Sequence, residues 1–204
     1  DDALIPELTK KFEAQKNVEI IHEDILKINL PELIKHYSLL TTHYKLIANI
    51  PYYITSPIIR LFLEQDQQPQ EIILMVQKEV AERIVEKPGR ASILSVSVQY
   101  YAAAEILFPV SKNSFSPAPK VDSAVIKIIP NKKFEKEIDK KFFRIVKAGF
   151  SAKRKTLNNN LANSLQLEKN FVEEKIKTAG LQPTVRAQEL SIDDWKKLSA
   201  LLEE

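Results

Sequence analysis

The chain contains no cysteine. That excludes disulfides, zinc–thiolate centres and thiol nucleophiles, and with the last of these covalent thiol attack on a pyrimidine ring. Glycine is almost as scarce. The three present stand at 89, 149 and 180, so no glycine-rich loop exists anywhere. No apolar run approaches the roughly 18 residues of a membrane span. No signal peptide is visible either, and the start reads as cut. The three histidines, His22, His36 and His43, lack metal-ligand spacing. They read as ordinary surface or core residues, and no metal is expected.

What is present is a soluble globular composition. The 204 residues are 44% apolar, enough for one large domain or a domain with an appendage. The net charge of +3 is unevenly placed. From Lys132 to Lys155 there are ten Lys/Arg against three Asp/Glu, a local +7 that leaves −4 for the remainder. A basic block beside a near-neutral remainder suggests an anionic partner. The plainer alternative is a solvated helix face.

Leu4, Leu8 and Phe12 at i, i+4, i+8 predict a helix over 3–15. Val18 to His22 reads as a strand ending at Glu23-Asp24, and residues 31–40 as a short helix after Pro31. Tyr44 to Ala48 is a buried strand. A helix is expected from about Ser56 with Pro57 in its first position, then a strand from Glu71 to Gln77 and a helix from Lys78 to Glu86. Residues 92–102 are apolar and ambiguous; the alternation of elements assigns them to a helix. Strands near 104–110 and 121–129 flank Pro117 and Pro119. Such alternation predicts a mostly parallel sheet covered on both faces. Beyond Asn131 four helices are expected, near 137–149, 153–164, 168–179 and 191–203. Gly180 stops the third, and a Ser191/Asp194 capping box starts the fourth.

The strand ending at Ala48 runs into Asn49-Ile50-Pro51-Tyr52. The Asn side chain offers a hydrogen-bond acceptor. Pro51 has no N–H, which leaves neighbouring carbonyls open to accept. Tyr52 offers a flat face. Two acceptors and a face suit an exocyclic amine on a planar ring, such as adenine N6. A turn with a buried Tyr at a strand end is the plainer reading. In the basic block, Lys153, Arg154 and Lys155 are consecutive at the expected start of a helix, with Arg144 and Lys147 one turn apart on the preceding one. These five are the candidate phosphate contacts.

Four stretches taken together resemble the KsgA (RsmA) family of ribosomal RNA adenine N6,N6-dimethyltransferases. They are Val18 to Asp24, Ala48 to Ile59, Gln77 to Arg83, and Ser114 to Val125. The resemblance implies an α/β chain. A Rossmann-like class I methyltransferase sheet lacking its first strands, residues 1–130, precedes a small all-helical RNA-binding domain, residues 131–204. It implies a cytoplasmic monomer that uses S-adenosylmethionine and no membrane. The substrate would be two adjacent adenosines in a hairpin near the 3′ end of small-subunit (16S) ribosomal RNA, in the 30S precursor. It assigns catalysis to Asn49, Ile50, Pro51, Tyr52 and Phe115, with Tyr52 and Phe115 holding the two faces of the target base. It assigns the cofactor to Asp24, Ile25 and Asn49.

The departures are specific. The family's glycine-rich loop after the first strand is absent, and Asp1 matches the Asp of a Glu-x-Asp segment whose Glu binds ribose. The chain therefore reads as a member missing its first strands, with weak cofactor binding expected. The segment from Lys87 to Ser92 is short and lacks the Tyr-Gly found before Ile93 in the family. Erm enzymes, acting on large-subunit RNA, share Asn-Ile-Pro-Tyr. Pro57, Gln77 to Ala81, and Pro117 to Ser123 favour the small-subunit branch. A non-catalytic RNA-binding or ribosome-assembly factor is the rival from another class.

Overall fold

A computed structural model describes residues 2–37 and 44–203. They fall into two compact units, Asp1–Thr42 and His43–Glu204.

The first unit carries a 3-10 turn, Asp2–Leu4, leading into helix α1, Ile5–Phe12, and then helix α2, Leu30–His36. Asn29 caps α2 by accepting from the Glu32 N–H, with Pro31 in the first turn. Residues 38–40 of the expected second helix, and His43, lie outside the described residues. Val18 to His22 is not a strand. Its β-branched residues favour extension, but a strand also needs a neighbour for its N–H and C=O groups. Among the described residues this unit has none.

In the second unit, β1 (Lys45–Asn49), β2 (Glu71–Gln77), β3 (Ala102–Val110) and β4 (Ser123–Pro130) form one sheet in the order β1-β2-β4-β3. Helix α3 (Thr55–Leu63) links β1 to β2, and α4 (Lys78–Ile84) with α5 (Ile93–Tyr101) links β2 to β3. Pro57 sits two positions deeper in α3 than expected, because the helix begins at Thr55.

The mostly parallel expectation fails for this sheet: β1 and β2 are parallel, but β4 runs antiparallel to both β2 and β3. Parallel neighbours need a crossover, usually helical. The connection from β3 to β4 has only a 3-10 turn at Lys112–Ser114, so the chain returns beside β3. Among the described residues of this unit, the helices that link the strands do not cover both faces. Both crossovers step the same way across the sheet, and right-handed connections then place α3, α4 and α5 on one face. On that face Ile72, Leu74 and Val76 of β2 meet Ala124, Ile126 and Ile128 of β4, all fully buried. On the other face Ile47 is 71% exposed.

After Pro130 every described element is helical: α6 (Lys136–Gly149), α7 (Leu157–Leu165), α8 (Lys169–Thr178), a 3-10 turn at Ala187–Glu189, and α9 (Ile192–Glu203). Ile145, Leu157, Leu161, Val172, Ile176, Trp195 and Leu198 form their core. Ser191 and Asp194 make the expected capping box, the Asp194 N–H donating to Ser191 Oγ at 3.1 Å and the Ser191 N–H to Asp194 Oδ2 at 2.9 Å. Gly180 ends α8 with φ +87°. Among the described residues no helix is long and apolar enough to cross a membrane.

Candidate functional site

The carboxyl ends of β1 and β2 and the amino end of β4 lie at one edge of the sheet, with Asn49 opposite Met75 and Gln77 opposite Ser123. Ligands of open α/β sheets bind at such an edge. Asn49 is the last residue of β1 and is exposed; its side chain has no hydrogen bond among the described residues. Ile50 is buried beneath it. Pro51, at φ −56° and ψ 133°, turns the chain into the 3-10 turn Tyr52–Ile54. The Ile54 N–H donates to the Pro51 carbonyl at 3.1 Å, and Thr55 Oγ1 to the Tyr52 carbonyl at 2.9 Å. Pro51's carbonyl is thereby engaged in closing the turn.

Tyr52 is half-buried, and its hydroxyl lies 2.7 Å from Ser123 Oγ. Ser123, fully buried at the head of β4, was not assigned a role by its sequence context, since a serine at a strand start carries no chemical signal of its own. It fixes the ring of Tyr52 and ties the turn after β1 to the end of the loop between β3 and β4. That loop holds Phe115, which caps the 3-10 turn Lys112–Ser114 and is partly exposed, ahead of a cis Ser116–Pro117 bond. Asp122 holds the loop's base, accepting from the Lys112 N–H through Oδ1 at 3.0 Å and from the Lys78 N–H through its carbonyl at 3.0 Å.

Asp24 lies in the first unit and does not end a strand. Its Oδ1 accepts from the Leu26 N–H at 3.0 Å, its carbonyl accepts from Lys27 and Ile28, and its Oδ2 is 3.7 Å from Lys27 Nζ. This is an Asx turn, which leaves the carboxylate half-exposed; Ile25 is partly buried in the turn.

The five basic candidates are not gathered in one place. Lys153, Arg154 and Lys155 precede α7 in a turn, because the helix starts only after its cap, Thr156. Lys153 and Lys155 line a cleft of about 720 Å³, and Arg154 does not. Arg144 and Lys147 line a separate groove along α6. Part of the basic block is structural. Lys132 Nζ donates to Asp139 Oδ1 at 2.9 Å and lies 4.8 Å over the Tyr100 ring, while the Tyr100 hydroxyl donates to the same oxygen at 2.8 Å. Asp139 is 2% exposed. Burial alone would raise its pKa. The Glu135 N–H, Lys132, Tyr100 and Tyr101 outweigh this and hold it below the ordinary carboxylate value. Burial and this carboxylate in turn push the Tyr100 hydroxyl up. Among the described residues no cluster of three acidic or histidine side chains could hold a metal.

The family model for ribosomal RNA adenine dimethylase matches residues 1–204. A ribosomal RNA small subunit methyltransferase A of Dehalococcoides mccartyi is 42% identical over 202 residues, covering 97% of this chain and 67% of that protein. The protein of that name from Clostridium botulinum is 41% identical over 203 residues, covering 98% of this chain and 72% of its own length. Two solved structures share the fold. A dimethyladenosine transferase from Plasmodium falciparum has a TM-score of 0.78 at 24% identity over 97% of this chain and 78% of its own. The 23S rRNA methyltransferase ErmE has 0.73 at 23%, over 100% and 80%. At those identities they establish architecture only, an α/β sheet of Rossmann-like methyltransferase type. The match across the whole sequence and the identity of its relatives are decisive: the chain belongs to the ribosomal RNA adenine dimethylase family.

Proposed function

We propose that this chain carries out S-adenosylmethionine-dependent N6,N6-dimethylation of two adjacent adenosines in a hairpin near the 3′ end of small-subunit ribosomal RNA. The observation that carries the reading is Asn49, exposed at the carboxyl end of β1, beside a tyrosine whose ring is held by Ser123. Family membership and relatives named for the small-subunit enzyme support it.

Adenine N6 is a poor nucleophile because its lone pair is delocalised into the ring. Asn49 Oδ1 accepts one N6–H bond. The Ile50 carbonyl accepts the other, since that of Pro51 is used by Ile54. Holding both bonds favours a pyramidal nitrogen with its lone pair free, and the two acceptors stabilise positive charge as it develops. The ammonium formed is strongly acidic and sheds its proton without a tuned base. Tyr52 stacks on one face of the extruded base and Phe115 covers the other, worth about 1–3 kcal/mol per stacked base.

The adenine end of the cofactor fits the donor set present: the half-exposed Asp24 carboxylate has acceptor capacity beyond its bond from Leu26, and Ile25 supplies an apolar side chain beside it. Within the first unit Asp24 and Ile25 are the residues that would hold it, and the family resemblance adds Asn49 of the second. When bound, it supplies an electrophilic methyl on sulfonium. Residues 131–204 serve as the RNA-binding part through Arg144, Lys147, Lys153, Arg154 and Lys155, and the partner is the small ribosomal subunit precursor.

The test is methyl transfer from labelled S-adenosylmethionine into 30S precursor particles, with the RNA digested to nucleosides. Dimethyladenosine in the small-subunit hairpin is expected. Asn49→Ala should lower kcat at least a hundredfold with RNA affinity within a fewfold of wild type. Label in large-subunit RNA, RNA binding with no transfer, or near-normal turnover by Asn49→Ala would each refute the reading.

A further inference from the structure

The cleft that receives Lys153 and Lys155 has a second wall, and it comes from the segment in which this sequence departs from the family pattern. The loop between α4 and α5 is pinned to the helical part through one acceptor. The Gly89 and Ala91 N–H groups both donate to the Gln188 carbonyl, at 2.8 and 3.2 Å. Gly89 takes φ +105°, which a side chain would resist. Arg90 stands between the two pinned amides, exposed, at the lip of the same cleft.

The facing wall is equally fixed. Buried Asn160 donates through Nδ2 to the Gly149 carbonyl at 2.6 Å and to the Ala152 carbonyl at 3.0 Å, and the Lys155 N–H donates to Ala152 at 3.1 Å. Four cationic side chains and one carboxylate, Glu86, line the cleft. Arg83 is already paired with Glu79. Arg90, Lys153 and Lys155 have no ion pair among the described residues. The first turn of α5, at Ile93 and Leu94, also opens on the cleft, and its N–H groups add partial positive charge.

We propose that Arg90, Lys153 and Lys155 form a clamp for consecutive backbone phosphates of the substrate RNA, spanning the α4–α5 loop and the turn before α7. The proposal rests on the RNA reading above. It assigns Arg90 a positioning role that no sequence motif marks. Cations on two rigid walls suit an extended polyanion better than a compact one, because each wall meets a different phosphate. Arginine at the lip can also hold a phosphate through two N–H donors. Such contacts set register and carry no base information.

The experiment uses the whole chain and a labelled RNA hairpin with the small-subunit 3′ sequence. Binding is measured against KCl concentration for wild type, Arg90→Gln, Arg90→Lys and Lys153→Gln/Lys155→Gln. Arg90→Gln should weaken binding several-fold near 0.1 M salt and lower the slope of log K against log salt by about 0.7–0.9, one phosphate's share. Arg90→Lys should restore the slope. Arg90→Gln and the double lysine variant should be non-additive, since they grip one strand. The thermal midpoint should stay at the wild-type value, because the pinning bonds are made by backbone. Wild-type slope and affinity in Arg90→Gln, with the lysine variant impaired, would overturn the clamp alone. A wild-type chain without salt-dependent RNA binding would overturn both the clamp and the RNA reading.

Discussion

Gly149 is the position where one methyl group should cost most. A Cβ built there would run into Trp195 Cη2, and would lie 2.9 Å from Leu157 Cδ1 and 3.1 Å from Trp195 Cζ3. None of these atoms can retreat easily. Trp195 and Leu157 are fully buried, and the indole is stacked on Phe150 at 5.7 Å and 27°. Overpacking a tight core costs about 1–3 kcal/mol, and two walls closing on one atom place Gly149→Ala at the upper end. Alanine regains about 1 kcal/mol of helix propensity over glycine. The net expectation is about 2 kcal/mol of destabilisation, or roughly 4–8 °C in Tm for a chain of this size. The Gly149 carbonyl also anchors Asn160, so the turn carrying Lys153 and Lys155 should loosen and RNA affinity should fall with stability. Thermal melts of Gly149→Ala, Trp195→Phe and the double variant decide it. In the Trp195→Phe background the smaller ring should make the same methyl cheaper. An unchanged or raised Tm in Gly149→Ala would show that the indole moves freely, and the packing account would be wrong.

Two further outcomes are expected. Asp139→Asn should destabilise by about 2–4 kcal/mol at pH 7, since Lys132 loses its buried partner. Because the Asp139 carboxyl is held below its unfolded value of roughly 3.9, its contribution is present above that pH and lost as pH falls through the lower folded value. Urea titrations should therefore show wild type losing its advantage over Asp139→Asn below about pH 4; a constant difference down to pH 2.5 would contradict this. In a chain that also carries the family's glycine-rich loop, Asp24→Ala should weaken S-adenosylmethionine binding by about 1–3 kcal/mol in calorimetry, and unchanged affinity would remove Asp24 from the site.

Local patterns carried over to structure wherever local physics decides them. The apolar run Glu71 to Gln77 is a strand buried on every second residue, and the ambiguous Ile93 to Tyr101 is a helix whose start is secured by Ser92 and Ser95. What failed were readings that depend on partners elsewhere. Val18 to His22 has strand composition, but among the described residues its unit offers no strand to pair with. The direction of β4 depends on how tightly the loop from Ser111 to Asp122 returns. Lys153 to Lys155 have good helix propensity, but Thr156 outcompetes them for the start of α7 by accepting from the Asn159 N–H. Asp139 reads as one acid in a charge run, and only the fold brings Tyr100 and Lys132 to it.

The candidate site divides along the same line. Asn49, Ile50, Pro51 and Tyr52 are contiguous, so their chemistry can be read in one glance and their geometry follows from a strand end and a proline. Ser123 and Arg90 cannot be found that way. Ser123 matters because β4 sets its hydroxyl against a tyrosine 71 positions earlier. Arg90 matters because two neighbouring amides reach the Gln188 carbonyl, about a hundred positions on. If the clamp holds, the two kinds of residue divide the work. The contiguous motif determines what is done to the base, and residues assembled only by folding determine which stretch of RNA is held there while it is done. Mutations of the first kind should then act on kcat at saturating RNA, and mutations of the second on RNA affinity and its salt dependence.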